Sequence, residues 1–251
     1  MNRALTRAIS PRLADAELTF LEREPIDVRR AVEQHDAYER WLERQGIELI
    51  HVEATPELPD GVFVEDAAVV LDEVAIITRP GATSRQPETE SVARVLKPFR
   101  SLAYIRAPGT IDGGDVLRIG RTLYVGRSQR TNDEGISQLA AIVGTLGWEV
   151  VPVDFTGCLH LKSAATEIGD GGLLVNPGYV DAGIFGLDPI AVDPSEPFAA
   201  NALRVGRTVL LPDEFPRTRA ILERRGFHVE TVSVSEILKA EAGVTCCSVI
   251  F

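Results

Sequence analysis

A seven-residue phrase, Leu117-Arg118-Ile119-Gly120-Arg121-Thr122-Leu123, returns almost unchanged as Leu203-Arg204-Val205-Gly206-Arg207-Thr208-Val209. Each copy alternates around a glycine and reads as a β-hairpin, continued by Tyr124-Val125 and Leu210-Leu211. The surroundings repeat as well. After the first hairpin, Thr131-Asn132 offers a helix N-cap, with Asp133 and Glu134 in the first turn. Ile136, Leu139, Ala140, Val143 and Leu146 then recur at helical spacing, Gly147 ends the run, and residues 148–153 read as a strand. After the second hairpin come a helix at 217–225, Gly226 as its stop, and a strand at 227–232. The unit is hairpin, helix, strand.

Three further copies fit more loosely. Residues 67–71 and 74–78 flank Asp72-Glu73 and precede a helix bearing Val92, Val95 and Leu96, then a strand at 102–105. Residues 164–168 and 173–175 flank Asp170-Gly171-Gly172, but the Gly- and Pro-rich stretch beyond them has no helical period. The chain ends supply the fifth copy. Val28, Ala31, Val32, Tyr38, Trp41 and Leu42 share a helical face, residues 47–52 follow as a strand, and residues 248–251 would pair with 4–9. Stacked repeats bury their apolar faces only against neighbours, and a closed ring leaves no exposed end unit. The expectation is a single domain over residues 1–251, an α/β, five-bladed, pseudo-symmetric propeller. The competing open doubly wound sheet lacks support, because no GxGxxG or phosphate loop follows the strands.

Composition narrows the function. The net charge of -11 offers no excess of Lys and Arg to displace counterions, so nucleic acid is not an expected partner. No run approaches the ~18 apolar residues of a membrane span, and the first residues lack the apolar stretch of a secretory signal. Three cysteines, two of them adjacent, do not make a disulfide framework; they read as thiols in a reducing, cytoplasmic setting. No CxxC or His-rich cluster suggests a structural metal.

The reactive residues fall at one depth of the ring. Asp112 lies 8 residues before the turn at Gly120, His160 lies 10 before Asp170, and Phe63 lies 9 before Asp72, among Asp60, Glu65 and Asp66. Cys246 begins the last unit. Residues distant in sequence would thus meet at one end of the axis. Cys247, pointed away by strand alternation, and Cys158 read as small buried hydrophobes. His160 between Leu159 and Leu161 reads in isolation as a core histidine on a buried strand. Asp112-Gly113-Gly114-Asp115 reads as a turn, or as backbone free to approach a ligand.

Taken in order, Pro59-Asp60-Gly61-Val62-Phe63-Val64-Glu65-Asp66, Arg79-Pro80-Gly81-Ala82 with Ser84-Arg85, and residues 107–115 around Ile111-Asp112-Gly113-Gly114-Asp115 resemble the dimethylarginine dimethylaminohydrolases. Arg130-Thr131-Asn132, Leu159-His160-Leu161-Lys162 and Cys246-Cys247-Ser248 extend the match to about 18–251. This is a branch of the guanidino-group-modifying enzymes of pentein fold. The resemblance implies Cys246 as nucleophile, His160 as general acid/base and Asp112 as the carboxylate beside them; several relatives carry Glu at that position. It implies substrate contacts from Leu18, Asp60, Phe63, Glu65, Asp66, Arg85, Arg130 and the backbone at Ala240. Asp66 and Asp112 would hold the guanidinium, and Arg85 and Arg130 the α-carboxylate. Neither a metal nor an organic cofactor is implied. The implied partner is a small cationic guanidino substrate, with no membrane and with a homodimer as the candidate assembly. The alternatives are an arginine deiminase or another guanidine hydrolase on the same fold.

Overall fold

The computed structural model describes residues 2–251. In chain order the strands and α-helices are β1 (Arg3–Thr6), α1 (Val28–Arg44), β2 (Glu48–His51), β3 (Ala68–Val70), β4 (Val74–Ile77), α2 (Glu88–Leu96) and β5 (Ser101–Tyr104). They continue with β6 (Val116–Ile119), β7 (Thr122–Arg127), α3 (Asp133–Gly144), β8 (Glu149–Asp154), α4 (Leu161–Ala164), β9 (Ala165–Gly169), β10 (Gly172–Val175) and β11 (Asp188–Ala191). Then follow β12 (Leu203–Val205), β13 (Thr208–Pro212), α5 (Pro216–Arg224), β14 (His228–Val232), α6 (Ser235–Leu238) and β15 (Val249–Ile250).

The strands form five three-stranded sheets, each built alike. An antiparallel pair is followed by a parallel strand that needs a crossover, as in β6–β7 then β7–β8, and β12–β13 then β13–β14. The duplicated phrase gives duplicated geometry. Gly120 and Gly206 occupy the same hairpin position at φ 59° and 60°, a left-handed conformation open to glycine. The two chain ends close the ring: β15 pairs antiparallel with β1, joining Ala4 to Ile250 and Leu5 to Val249, and β2 runs parallel to β1.

Local chemistry sets the crossovers. The Asp27 side chain accepts from the N–H of Arg30 at the start of α1, and Asn132 accepts from Gly135 at the start of α3. Pro216 opens α5, where a missing N–H costs nothing. The fourth crossover has no α-helix; a short 3-10 turn, Ala182–Phe185, leads into β11. That agrees with the absence of a helical period there. Core packing is divided among clusters rather than gathered at one centre. Ile136, Leu139 and Val143 of α3, for example, pack with Leu123 and Val125 of their own sheet and Ile76 of the preceding one. The first strands line the axis, with β6 against β9, β9 against β12 and β15 against β3. This is the five-bladed pentein propeller.

Candidate active site

The segments that enter the axial strands carry the polar residues. Asp60 and the 3-10 turn Val64–Ala67 precede β3, Asp112 to Asp115 precede β6, His160 and α4 precede β9, Asn201 precedes β12, and Cys246 precedes β15. Five blades thus supply one constellation at one end of the axis.

His160 caps α4 instead of lying within a buried strand, as its apolar neighbours suggested. It is 4% exposed, with Nε2 3.1 Å from Asp112 Oδ2 and Nδ1 3.9 Å from Asp66 Oδ1. Burial by itself lowers the imidazolium pKa; Asp66, Asp112 and Asp115 outweigh it and raise His160 to about 9. Asp112 contacts the histidine, and its Oδ1 accepts from the N–H of Gly81 at 2.9 Å. Asp66 is desolvated too, but His160, Arg85 and the Gly114 N–H at 2.8 Å bring its carboxyl down to about 2. A β-carbon on Gly114 would lie 2.5 Å from His160 Nδ1 and 2.9 Å from Asp66 Oδ1. The expected backbone approach is therefore an approach to the histidine ring. Asp66, Asp112 and His160 place ligand-type atoms within 4.8 Å of one another, a set able to hold a divalent ion. An imidazolium between two carboxylates supplies positive charge in that same place.

Cys246 sits on a turn at residues 244–247 rather than on a strand. The turn, not strand alternation, separates the two sulfurs: Gly243 N–H donates to Cys246 Sγ at 3.3 Å, whereas Cys247 Sγ lies 3.9 Å from the Gly243 carbonyl. Burial, then Glu65 and Asp66, push the Cys246 thiol up to about 12. The Glu65 N–H donates to the Cys246 carbonyl at 3.2 Å, which fixes the Cys246 turn to the Glu65-Asp66 segment. The Cys158 thiol is buried and also raised to about 12, in keeping with a core cysteine.

Glu65 forms the floor. Its carboxylate takes Lys162 Nζ at 2.5 Å and Thr245 Oγ at 2.8 Å. Glu65, Lys162 and Thr245 also line a cavity of about 290 Å³, together with residues of β3, β6, β9, β12 and β15. Asp60 is buried, and its carboxylate accepts from the Glu17 N–H. Phe63 and Ala240 pack in the same apolar cluster as Cys246. Leu18 is half-buried on a loop that Glu241 grips. From a left-handed conformation at φ 57°, that carboxylate accepts from the N–H groups of Thr19 at 2.8 Å, Phe20 and Leu21.

The two arginines differ. Arg130 is 6% exposed; its Nη1 has no hydrogen-bond partner and lies 4.0 Å from Asp112, while Nη2 reaches Thr19 Oγ at 3.3 Å. Arg85 corrects the expectation of a free carboxylate anchor. Its Nε and Nη2 are taken by Glu88 at 3.1 and 2.9 Å, and its Nη1 by Asp66 at 2.7 Å. A buried guanidinium needs anionic neighbours at all times, and the chain supplies them from its own α2. Sequence reading missed Asn201, whose amide donates to Thr245 Oγ at 3.0 Å and whose carbonyl accepts from the Thr245 N–H at 3.1 Å. Its place two residues before the duplicated hairpin was the available signal. Asp115, quoted only as part of the turn, is fully buried.

Comparison with known proteins gives a consistent result. The family described as "N,N dimethylarginine dimethylhydrolase, eukaryotic" matches residues 18–179. The chain is 43% identical to an N(G),N(G)-dimethylarginine dimethylaminohydrolase of Streptomyces coelicolor, over 98% of this chain and 96% of that one. It superposes with a TM-score of 0.94 on a cysteine-to-serine mutant of the Pseudomonas aeruginosa enzyme complexed with citrulline, at 34% identity over 99% and 98% of the two chains. A histidine-to-glycine dimethylarginine dimethylaminohydrolase, as its adduct with S-methyl-L-thiocitrulline, gives the same TM-score and identity over the full length of both.

Proposed function

The chain belongs to the dimethylarginine dimethylaminohydrolase family, and on that premise we propose that it hydrolyses asymmetric dimethylarginine and monomethylarginine to citrulline and dimethylamine or methylamine. The observation that carries the reading is His160 held as a cation between Asp66 and Asp112, beside a nucleophile turn tied to the Glu65-Asp66 segment. The whole chain acts as one catalytic domain, in the cytoplasm, where its three free thiols stay reduced.

The resting site holds a neutral thiol and an imidazolium. A guanidinium is always charged, so its arrival beside Sγ favours the thiolate, and the thiol proton leaves to solvent. Each Asp66 oxygen keeps a second lone pair for the substrate cation, with Asp60 and Glu65 nearby. The sulfur attacks the central carbon, and His160 gives its proton to the departing amine as the C–N bond breaks. What remains is a positively charged thiouronium on Cys246 and a neutral His160. His160 then takes a proton from water, the oxygen adds to the same carbon, and the C–S bond breaks to release citrulline. The returning thiolate recovers the proton. Leu18 and Ala240 offer shape and main-chain groups. Arg130 Nη1 is the anchor for the α-carboxylate, and Arg85, with one N–H left on Nη1, serves chiefly to neutralise Asp66 and Glu88.

Amine and citrulline released from methylarginines, arginine and agmatine, measured side by side, test this. Cys246→Ser should lower turnover roughly 10³-fold or more, whereas Cys247→Ser should keep substantial activity. His160→Gly should accumulate a covalent adduct visible by intact mass. Agmatine lacks the group that Arg130 binds and should be roughly ten- to a hundred-fold poorer in kcat/KM. Efficient turnover of agmatine with little on methylarginine would overturn the reading in favour of another guanidine hydrolase.

A further inference from the structure

Asp115 touches none of the groups assigned to the reaction, yet it is wholly buried and both its oxygens are committed. Oδ1 accepts from the N–H of Leu161 at 3.0 Å, the first residue of α4, and so holds the backbone next to His160. Oδ2 accepts from Ser128 Oγ at 2.6 Å. Ser128 Oγ in turn accepts from the N–H groups of Arg130 at 2.9 Å and Thr131 at 3.0 Å, and Thr131 Oγ accepts from the N–H of Asp112 at 3.1 Å. The proton donor, its carboxylate and the anion anchor thus hang from one buried side chain. We propose that Asp115 is a positioning residue that sets the general acid His160 and the carboxylate anchor Arg130 in register, so that one group fixes both ends of the bound amino acid. This rests on the methylarginine reading above.

The network has no slack. Ser128 Oγ spends its hydrogen on Asp115 and both lone pairs on Arg130 and Thr131, so it has nothing left to accept another donor. An asparagine at position 115 must therefore fail on one side. With its NH2 toward Ser128 it meets a saturated oxygen; with its NH2 toward Leu161 it meets another N–H. Only an ionised carboxylate, accepting on both oxygens, satisfies both branches, and an unmet buried donor is costly. The charged groups around the His160 ring are Asp66, Asp112 and Asp115, with Arg130 4.0 Å beyond Asp112. Removing one negative charge from that set lowers the pH at which His160 gives up its proton.

Two variants separate the branches. Ser128→Ala leaves the Asp115–Leu161 bond of the histidine branch in place and removes, at a half-buried position, the hydroxyl that ties Asp115 to the N–H groups of Arg130 and Thr131. It should raise KM for asymmetric dimethylarginine roughly tenfold, a larger change than in kcat, and weaken arginine binding more than agmatine binding. Ser128→Thr, which keeps the hydroxyl, should restore KM. Asp115→Asn should lower kcat as well, and should lower the titration point of His160 followed by NMR in the ligand-free protein. Equal weakening of arginine and agmatine by Ser128→Ala would overturn the proposal, as would an Asp115→Asn protein with unaltered kcat and His160 titration. Absence of methylarginine turnover by the unmodified protein would instead remove the functional reading, while the NMR titration still tests the histidine branch.

Discussion

Gly114 holds the site together by what it lacks. Its backbone N–H binds Asp66 while its α-carbon lies against the His160 ring, so a methyl group there would have to displace His160 or Asp66. Gly114→Ala is expected to cost about 1–3 kcal/mol in stability by overpacking and to depress kcat more than KM, because the displaced ring is the proposed proton donor. Urea denaturation together with steady-state kinetics checks both; unchanged kcat would mean that the ring has room to move. Single residues were unevenly legible in the sequence. Cys246, His160 and Asp112 stand out by their phase within the repeat, and the family resemblance assigns their roles. Asn201 and Glu241 did not, because an amide before a hairpin and a glutamate in a loop look like ordinary surface residues until their partners are placed.

Periodicity found the long elements and missed the short ones. Helix α1 has seventeen residues and α3 twelve, enough turns for an apolar stripe to recur. Helices α4 and α6 have four each, and one turn contains no repeat to detect. Hence side-chain pattern alone puts His160 on a strand and gives Cys246 and Cys247 a strand's alternation, where the chain in fact turns. The outer helices also separate stability from chemistry. Asp27→Ala removes the cap of α1 and should cost about 1 kcal/mol, lowering Tm by about 2–4 °C, with kcat/KM unchanged within about twofold. A kinetic defect larger than the stability loss would show that α1 bears on the site.

At the scale of the whole molecule, the buried charges predict how stability follows pH. The folded state holds His160 at about 9, above its ordinary 6.5. Its contribution is therefore complete below pH 6.5 and is lost as pH rises through about 9. Asp115 acts in the same direction between 3.8 and about 6, because burial opposes its charge more than its hydrogen bonds favour it. Asp66, depressed to about 2, contributes above 3.8 and ceases to as pH falls toward 2. Tm should thus decline between pH 6.5 and 9, and His160→Gly should flatten that decline. An equal slope in the two proteins would place the linkage elsewhere.

The architecture is written in the local patterns of the chain. A phrase repeated 86 residues apart, with hairpin, helix and strand in the same order, requires stacked units, and reactive residues ahead of successive hairpins require a site on the axis. Those are local properties, carried by side-chain period, turn chemistry and caps. Which charges meet emerges only in the folded ring. Asp112 proved to bind His160, Arg85 to be claimed by Glu88 and Asp66, and Asp115 to bridge Ser128 and Leu161. Ion pairs and hydrogen bonds depend on ångström distances between groups 13 to 48 residues apart in most of these contacts, and such distances exist only once the ring has closed.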